Sequence, residues 1–257
     1  MHNLQPAEAF SLKDRLAIIT GGGTGLGFAM AQCLVTAGAR VVITGRRFDV
    51  LQQAVVQLGE DVSAEQHDVT DLESAPALLE RVEKRHGLPT ILINNAGVHV
   101  KKTVEEHTLA DFHTILATHV EGAFAITRAA VPLMKRAGNG SIIFIASMSS
   151  VMGLPLVVAY SAAKSAYLGM TRSLASELGP HNIRVNAIAP GWIETPMLAK
   201  ALAGDTARSS KILARTPQNR FGSPEDIGWA AVYLSSPAAS FINGVLLPVD
   251  GGASIGF

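Results

Sequence analysis

Tyr160 and Lys164 stand four residues apart in the run Ala159-Tyr160-Ser161-Ala162-Ala163-Lys164, and Ser147 lies thirteen residues upstream of the tyrosine. A phenol and an ammonium at i and i+4 share one face of a helix, so both can reach a common substrate. The positive charge favours phenolate over phenol and is expected to draw the tyrosine pKa below its ordinary value of about 10. A tyrosine tuned in this way passes a proton to or from an alcohol or carbonyl oxygen. Alone, the pair is a weak signal, because a surface cation over an aromatic ring gives the same spacing. Its weight comes from the elements that would have to position it.

Those elements form a regular alternation. Apolar runs expected as strands fall at 16–20, 40–44, 62–67, 90–94, 140–146, 182–188 and 244–249. Helical patterns precede Gly38 and cover about 47–58, 71–86, 108–137, 158–179, 196–213 and 224–235. Strands that are apolar throughout and separated by helices indicate a parallel sheet covered on both faces. In that doubly wound α/β architecture, ligands sit beyond the carboxyl ends of the strands. Each chemically suggestive segment here follows an expected strand, which argues for one site in one domain spanning 1–257.

Bulk properties narrow the function further. Lys plus Arg equal Asp plus Glu at 21 each, which leaves no electrostatic footprint for nucleic acid or an anionic membrane. The chain is 48% apolar, yet no run approaches the ~20 residues that a spanning helix requires. Its start lacks the basic and then apolar pattern of a secretory signal. The single cysteine, Cys33, excludes an internal disulfide and fits a reducing compartment, so a soluble cytoplasmic protein is expected. Within Phe28-Ala29-Met30-Ala31-Gln32-Cys33-Leu34-Val35 it reads as a small buried hydrophobe rather than a nucleophile.

The first strand runs into Thr20-Gly21-Gly22-Gly23-Thr24-Gly25-Leu26-Gly27, which opens a helix. Glycines there permit a tight turn and bring backbone N–H groups close to a pyrophosphate at the helix start. The stretch has no register of G-x-G-x-x-G; it offers Gly21, Gly25 and Gly27 as T-G-x-x-x-G-x-G. With Asp68-Val69, Asn94-Asn95-Ala96-Gly97, Ser147/Tyr160/Lys164, Asn186-x-x-x-Pro190-Gly191 and Asn243-Gly244…Val249-Asp250-Gly251-Gly252, it makes six ordered motifs. On these, the chain resembles the short-chain dehydrogenase/reductase family from about residue 12 to 253, and among its members the sugar and sugar-acid dehydrogenases.

The resemblance implies a Rossmann-type fold, nicotinamide-dependent interconversion of alcohols and carbonyls, and a homotetramer. It makes Tyr160 the general acid/base, Lys164 the residue that lowers its pKa and holds the nicotinamide ribose, and Ser147 the donor to the substrate oxygen. It assigns cofactor contacts to Gly21, Thr24, Gly25, Leu26, Gly27, Asp68, Val69, Asn95, Ala96, Gly97, Pro190, Gly191, Ile193 and Thr195. Ser149 and Ser150 are left to serve the turn after Ser147. Many dinucleotide folds end the second strand with an acid for the ribose 2′-OH. Here Gly45 takes that place and Arg46 follows, a fork suited to phosphate oxygens, so NADP is expected over NAD. The other reading leaves Arg46 and Arg47 solvated or stacked on adenine, with either dinucleotide accepted.

One position departs from the family pattern. His119, in Thr118-His119-Val120, stands where the family usually has an asparagine whose main-chain carbonyl holds a water in a proton relay from Lys164. A backbone role survives the substitution, and an imidazole titrating near neutrality would extend the relay. The alternative is that the ring simply packs between helices. His107, His113 and His119 recur every six residues, which is no helical-face spacing, and no metal site is expected.

Substrate choice falls to loops. The resemblance makes residues 191–223 a lid over the substrate. His99, Lys101 and Lys102 follow the Asn-Asn-Ala-Gly motif, where the lysines could draw a carboxylate, and Trp192 could stack on a sugar ring. Surface charge alone also explains the lysines. The leading expectation is an alcohol/carbonyl oxidoreductase acting on a sugar or sugar acid. A 3-oxoacyl thioester or steroid-type carbonyl reductase is the competitor, and a cofactor-binding sensor without turnover comes third.

Overall fold

The protein, seen in a computed structural model that describes residues 5–195, 198, 199, 202 and 204–256, is organised on seven strands. These are β1 (Leu16–Thr20), β2 (Arg40–Gly45), β3 (Val62–Gln66), β4 (Ile91–Asn94), β5 (Gly140–Ile145), β6 (Ile183–Pro190) and β7 (Leu246–Val249). They form one sheet in the order β3-β2-β1-β4-β5-β6-β7, and every pairing is parallel. The order reverses between β1 and β4, and that crevice is where a doubly wound sheet takes its ligand.

The helices follow the sheet. A single turn, α1 (Pro6–Ala9), precedes α2 (Gly25–Thr36), α3 (Phe48–Leu58), α4 (Ala75–His86), α5 (Leu109–Leu116) and α6 (Gly122–Ala137). Beyond β5 come α7 (Val158–Leu178), α8 (Thr206–Arg215) and α9 (Pro224–Ser235). Strand side chains alternate between two cores. Ala17 and Ile19 of β1 join Met30, Leu34 and Ile227 on the face carrying α2 and α9. Leu16 and Ile18 join Leu78, Ile126 and Tyr167 on the face carrying α4, α6 and α7. Burial on both faces explains why the strands read as continuous apolar runs.

The first core has one especially close contact. A Cβ on Gly228 of α9 would stand 2.4 Å from the Cys33 Sγ of α2. Only glycine lets those helices approach so closely, and the Cys33 thiol is buried between them, its pKa raised to about 11 mainly by desolvation. The thiol is therefore kept protonated and inert.

Two helices differ from their expected forms. The segment expected as one helix over 108–137 is α5 and α6 joined by a π turn at Ala117–Glu121. Its opening is fixed by Thr108, whose hydroxyl accepts from the Asp111 N–H while the Asp111 carboxylate accepts from the Thr108 N–H. The helix expected from 71 begins regularly only at Ala75, after a 3₁₀ turn, because Pro76 suits a first turn but no interior position. Of the lid helix expected over 196–213, residues 196, 197, 200, 201 and 203 lie outside the described residues, and α8 covers its second half.

Candidate active site

The nucleotide side of the crevice is made of backbone. Gly21 and Gly25 take φ of +65° and +55°, a region L side chains rarely adopt. A Cβ on Gly27 would come within 2.2 Å of the Gly21 carbonyl oxygen, whereas one on Gly25 would meet nothing within 4 Å. The loop thus folds tightly on itself and leaves a hollow at the amino end of α2, whose first N–H groups have no partner in the helix. Thr24 is the N-cap residue but its side chain makes no capping hydrogen bond.

Thr20 and Asn95 lock this loop to the end of β4. The Thr20 hydroxyl accepts from the N–H groups of Asn95 and Ala96, each at 3.0 Å. The Asn95 amide donates to the Thr20 and Gly21 carbonyls at 2.9 and 3.1 Å. Thr20 was visible in the motif, but its tying role was not, because a threonine at a strand end is usually just a β-former.

At the outer strands, one Asp68 oxygen accepts from the Thr70 N–H at 3.0 Å and from its hydroxyl at 2.8 Å. The second oxygen makes no hydrogen bond among the described residues. The carboxyl is held below its ordinary pKa: its Thr70 hydrogen bonds and the nearby Arg46 outweigh desolvation, the largest single influence. Arg46 is exposed beside it, just past the end of β2. Val69 is buried under Gly122.

The acid/base side is made of side chains. Tyr160, Lys164 and Tyr167 follow one another along one face of α7. The Lys164 Nζ donates to the Ile145 carbonyl at 2.6 Å and lies 5.5 Å from the Tyr160 ring centre and 4.9 Å from that of Tyr167. Ser147, at the end of β5, caps the 3₁₀ turn Met148–Ser150 by accepting from the Ser149 N–H at 3.1 Å. It also hydrogen-bonds Tyr160, which tends to lower the tyrosine pKa. Ser149 and Ser150 lie in that turn, as expected.

The charge state of this pair differs from the sequence expectation. Desolvation raises the Tyr160 pKa above its ordinary value and outweighs the Ser147 hydrogen bond. Burial also lowers the Lys164 pKa to about 7. Proximity along the helix promised a permanent cation beside the phenol. In the folded chain Lys164 is buried and Tyr160 half-buried, and desolvation opposes charge on each, which brings Lys164 proton exchange toward neutrality.

His119 lies in the π turn, 1% exposed, with its ring edge-on to Tyr160 at 5.5 Å and 88°. Its Nε2 is 2.8 Å from the Val98 carbonyl oxygen and 3.1 Å from the Val98 N. Burial, and then the Lys164 charge, depress its pKa to about 3. Burial and the neighbouring ammonium thus both oppose protonation of the imidazole. Its carbonyl accepts from the Tyr167 hydroxyl at 2.6 Å. Sequence reading passed over Tyr167, which looks like one more aromatic on a buried face.

Among the substrate candidates, His99 packs against Tyr160, ring centres 4.8 Å apart. Partial desolvation, then Lys101 and Arg208, lower its pKa. Lys101 is exposed, and Lys102 pairs with Asp111 at 2.7 Å while lining a cavity with Ser149 and Met152. Trp192 lines a cavity of about 340 Å³ with Gln218, Arg220 and Asp250. After Pro190 closes β6, the Gly191 N–H donates to the Val249 carbonyl at 3.0 Å. Ile193 bridges to Gly222, and the Thr195 hydroxyl accepts from the Leu198 N–H at 3.2 Å.

The hollow at Gly25, the helix amino end and the row of Asp68, Asn95 and Lys164 fit a nicotinamide dinucleotide. Residues 21–254 match the family model described as Enoyl-(Acyl carrier protein) reductase. The chain is 37% identical over 246 residues to the NADP-dependent (R)-specific alcohol dehydrogenase of Lentilactobacillus kefiri, covering 94% of this chain and 97% of that one. It is 36% identical over 248 residues to the 5-keto-D-gluconate 5-reductase of Escherichia coli, covering 95% and 97%. The solved gluconate 5-dehydrogenase from Burkholderia cenocepacia, in complex with NADP and tartrate, superposes with a TM-score of 0.93 at 32% identity, covering 98% and 100%. With its glycine loop, its Tyr-x-x-x-Lys pair and relatives matched along nearly their whole length, the chain belongs to the short-chain dehydrogenase/reductase family of oxidoreductases.

Proposed function

We propose that the protein interconverts an alcohol and a carbonyl on a sugar acid, using NADP(H) in preference to NAD(H). The observation that carries the chemistry is the meeting of Tyr160 with Ser147 and Lys164 at the carboxyl end of β5. When bound, a nicotinamide supplies or accepts the hydride. In reduction the Tyr160 hydroxyl gives its proton to the substrate oxygen, and in oxidation it takes one. Ser147 donates to that same oxygen as charge develops on it. Lys164, poised near neutrality, restores the proton to Tyr160 and holds the ribose. Gly21, Thr24, Gly25, Leu26 and Gly27 hold the pyrophosphate, Asp68 and Val69 the adenine, and Asn95, Ala96 and Gly97 the ribose region. Pro190, Gly191, Ile193 and Thr195 cover the nicotinamide.

Support for NADP comes from Gly45 and the exposed Arg46. Support for a sugar acid comes from the names of the relatives and from Lys101 and Arg208 acting on His99. A second reading has its own observation. An apolar cavity of about 430 Å³, lined by Val104, Met152, Leu154, Leu156, Val158 and Ser149, suits an acyl thioester or steroid. Steady-state kinetics with aldonates, keto-aldonates, neutral alcohols, 3-oxoacyl thioesters and hydroxysteroids separates them. Turnover of thioesters or steroids alone would end the sugar-acid reading.

We also infer one domain over 1–257, with 191–223 as its lid, working as a homotetramer in the cytoplasm. Exposed Phe124, Trp229 and Phe241 support the assembly, and light scattering of the purified protein tests it.

A further inference from the structure

Tyr167 is a fully buried phenol that the proposed reaction does not use. Its ring packs on Phe144, centres 5.0 Å apart, and a phenylalanine would fill that space as well. The hydroxyl must therefore serve something besides packing, since burying it carries a penalty unless it finds a partner. Its partner is the His119 carbonyl at 2.6 Å, inside the π turn. There the Gly122 N–H bonds to the Ala117 carbonyl, five residues back, so the regular pairing of carbonyls with donors is interrupted. Tyr167 supplies a donor where the helix is irregular.

The turn leaves the His119 ring little freedom. Its edge faces Tyr160, its Nε2 meets the Val98 backbone, and a Cβ on Gly97 would stand 2.4 Å from its Cε1. A small rotation of the turn would drive the imidazole into the 97–98 backbone or withdraw it from Tyr160. We propose that Tyr167 is a positioning residue: its hydroxyl, through the His119 carbonyl, holds the π turn in the register that sets the imidazole between Tyr160 and the 97–98 backbone. The Tyr167 pKa is pushed well up by burial, so the hydroxyl remains a donor at every working pH. The proposal rests on Tyr160 as the acid/base, yet part of its test needs no substrate.

The chain has three tyrosines, at 160, 167 and 233, so tyrosinate absorbance of the free protein can be followed residue by residue. Tyr160→Phe identifies the Tyr160 transition. Tyr167→Phe deletes one oxygen and keeps the ring, so the fold is retained, which circular dichroism verifies. It is expected to move the Tyr160 transition by roughly half a pH unit or more. It should also lower kcat about tenfold, with the dinucleotide KM changed less than about twofold, because a displaced imidazole disturbs the proton donor and not the nucleotide cradle. In a His119→Asn background the same change should have no further effect, since the ring it positions is gone. An unmoved Tyr160 transition in Tyr167→Phe would overturn the proposal, as would a shift of equal size in the His119→Asn background. Full activity of Tyr160→Phe would instead refute the acid/base assignment, and the titration would still judge Tyr167.

Discussion

The two sides of the crevice solve different problems with different materials. On the nucleotide side, Gly21, Gly25 and Gly27 clear space, and Thr20 and Asn95 fix backbone to backbone. Nothing there has to change charge. On the acid/base side, Tyr160, Lys164 and His119 are titratable groups pressed together and largely removed from water. Shape governs the first side, and the cost of charge governs the second. A substitution on one side should therefore act through binding, and on the other through proton transfer.

The sharpest way to break this contrast is Tyr160→Phe. Losing the proton donor should reduce kcat by about 10²–10⁴-fold while dinucleotide affinity, read by fluorescence titration, stays within about threefold. Comparable losses in both would show that the two sides are not separable. Next comes Gly27→Ala, whose Cβ must displace the Gly21 carbonyl from 2.2 Å. Overpacking of this kind costs about 1–3 kcal/mol, so dinucleotide binding should weaken roughly 5–150-fold, with the pH profile of kcat unmoved.

A smaller effect is expected at the far end of the nucleotide. Arg46→Gln should reduce the NADPH-to-NADH ratio of kcat/KM about tenfold, the scale of one charge-assisted contact. A clear preference for NADH in the parent would remove the basis of that expectation. Stability should respond as well. The folded Lys164 pKa of about 7 lies below its unfolded value near 10.4, so the unfolded chain binds more protons between those limits. The penalty for burying the ammonium is full below pH ~7 and fades as pH rises toward ~10.4. Lys164→Met should therefore be more stable than the parent by a margin that narrows from pH 7 to 10. A margin independent of pH would show that Lys164 is not the buried, titrating group described here.

The backbone side was legible because its signal is a pattern of absent side chains. A glycine four or two residues from another, between a strand and a helix, says where nothing else fits. Strand and helix positions were legible for a related reason, since burial on both faces writes itself as unbroken apolar runs. The acid/base side showed its residues but hid their state. Spacing brought Lys164 to Tyr160; it could not tell that Ile145 would take the ammonium or that desolvation would outweigh attraction. The π turn was hidden too, because residues 108–137 carry a helical period throughout and the hydroxyl that meets its His119 carbonyl comes from Tyr167, distant in sequence. Nor could spacing tell that Asp111 would pair with Lys102, or that Trp192 would line a cavity with the C-terminal loops.

The closeness of Gly228 to Cys33 gives the molecule a built-in reporter. No alkylating reagent can reach that sulfur while the two helices touch, so labelling must await their separation. The rate of thiol modification then counts openings of the sheet's α2–α9 face, and a nucleotide that clamps the amino end of α2 should slow it.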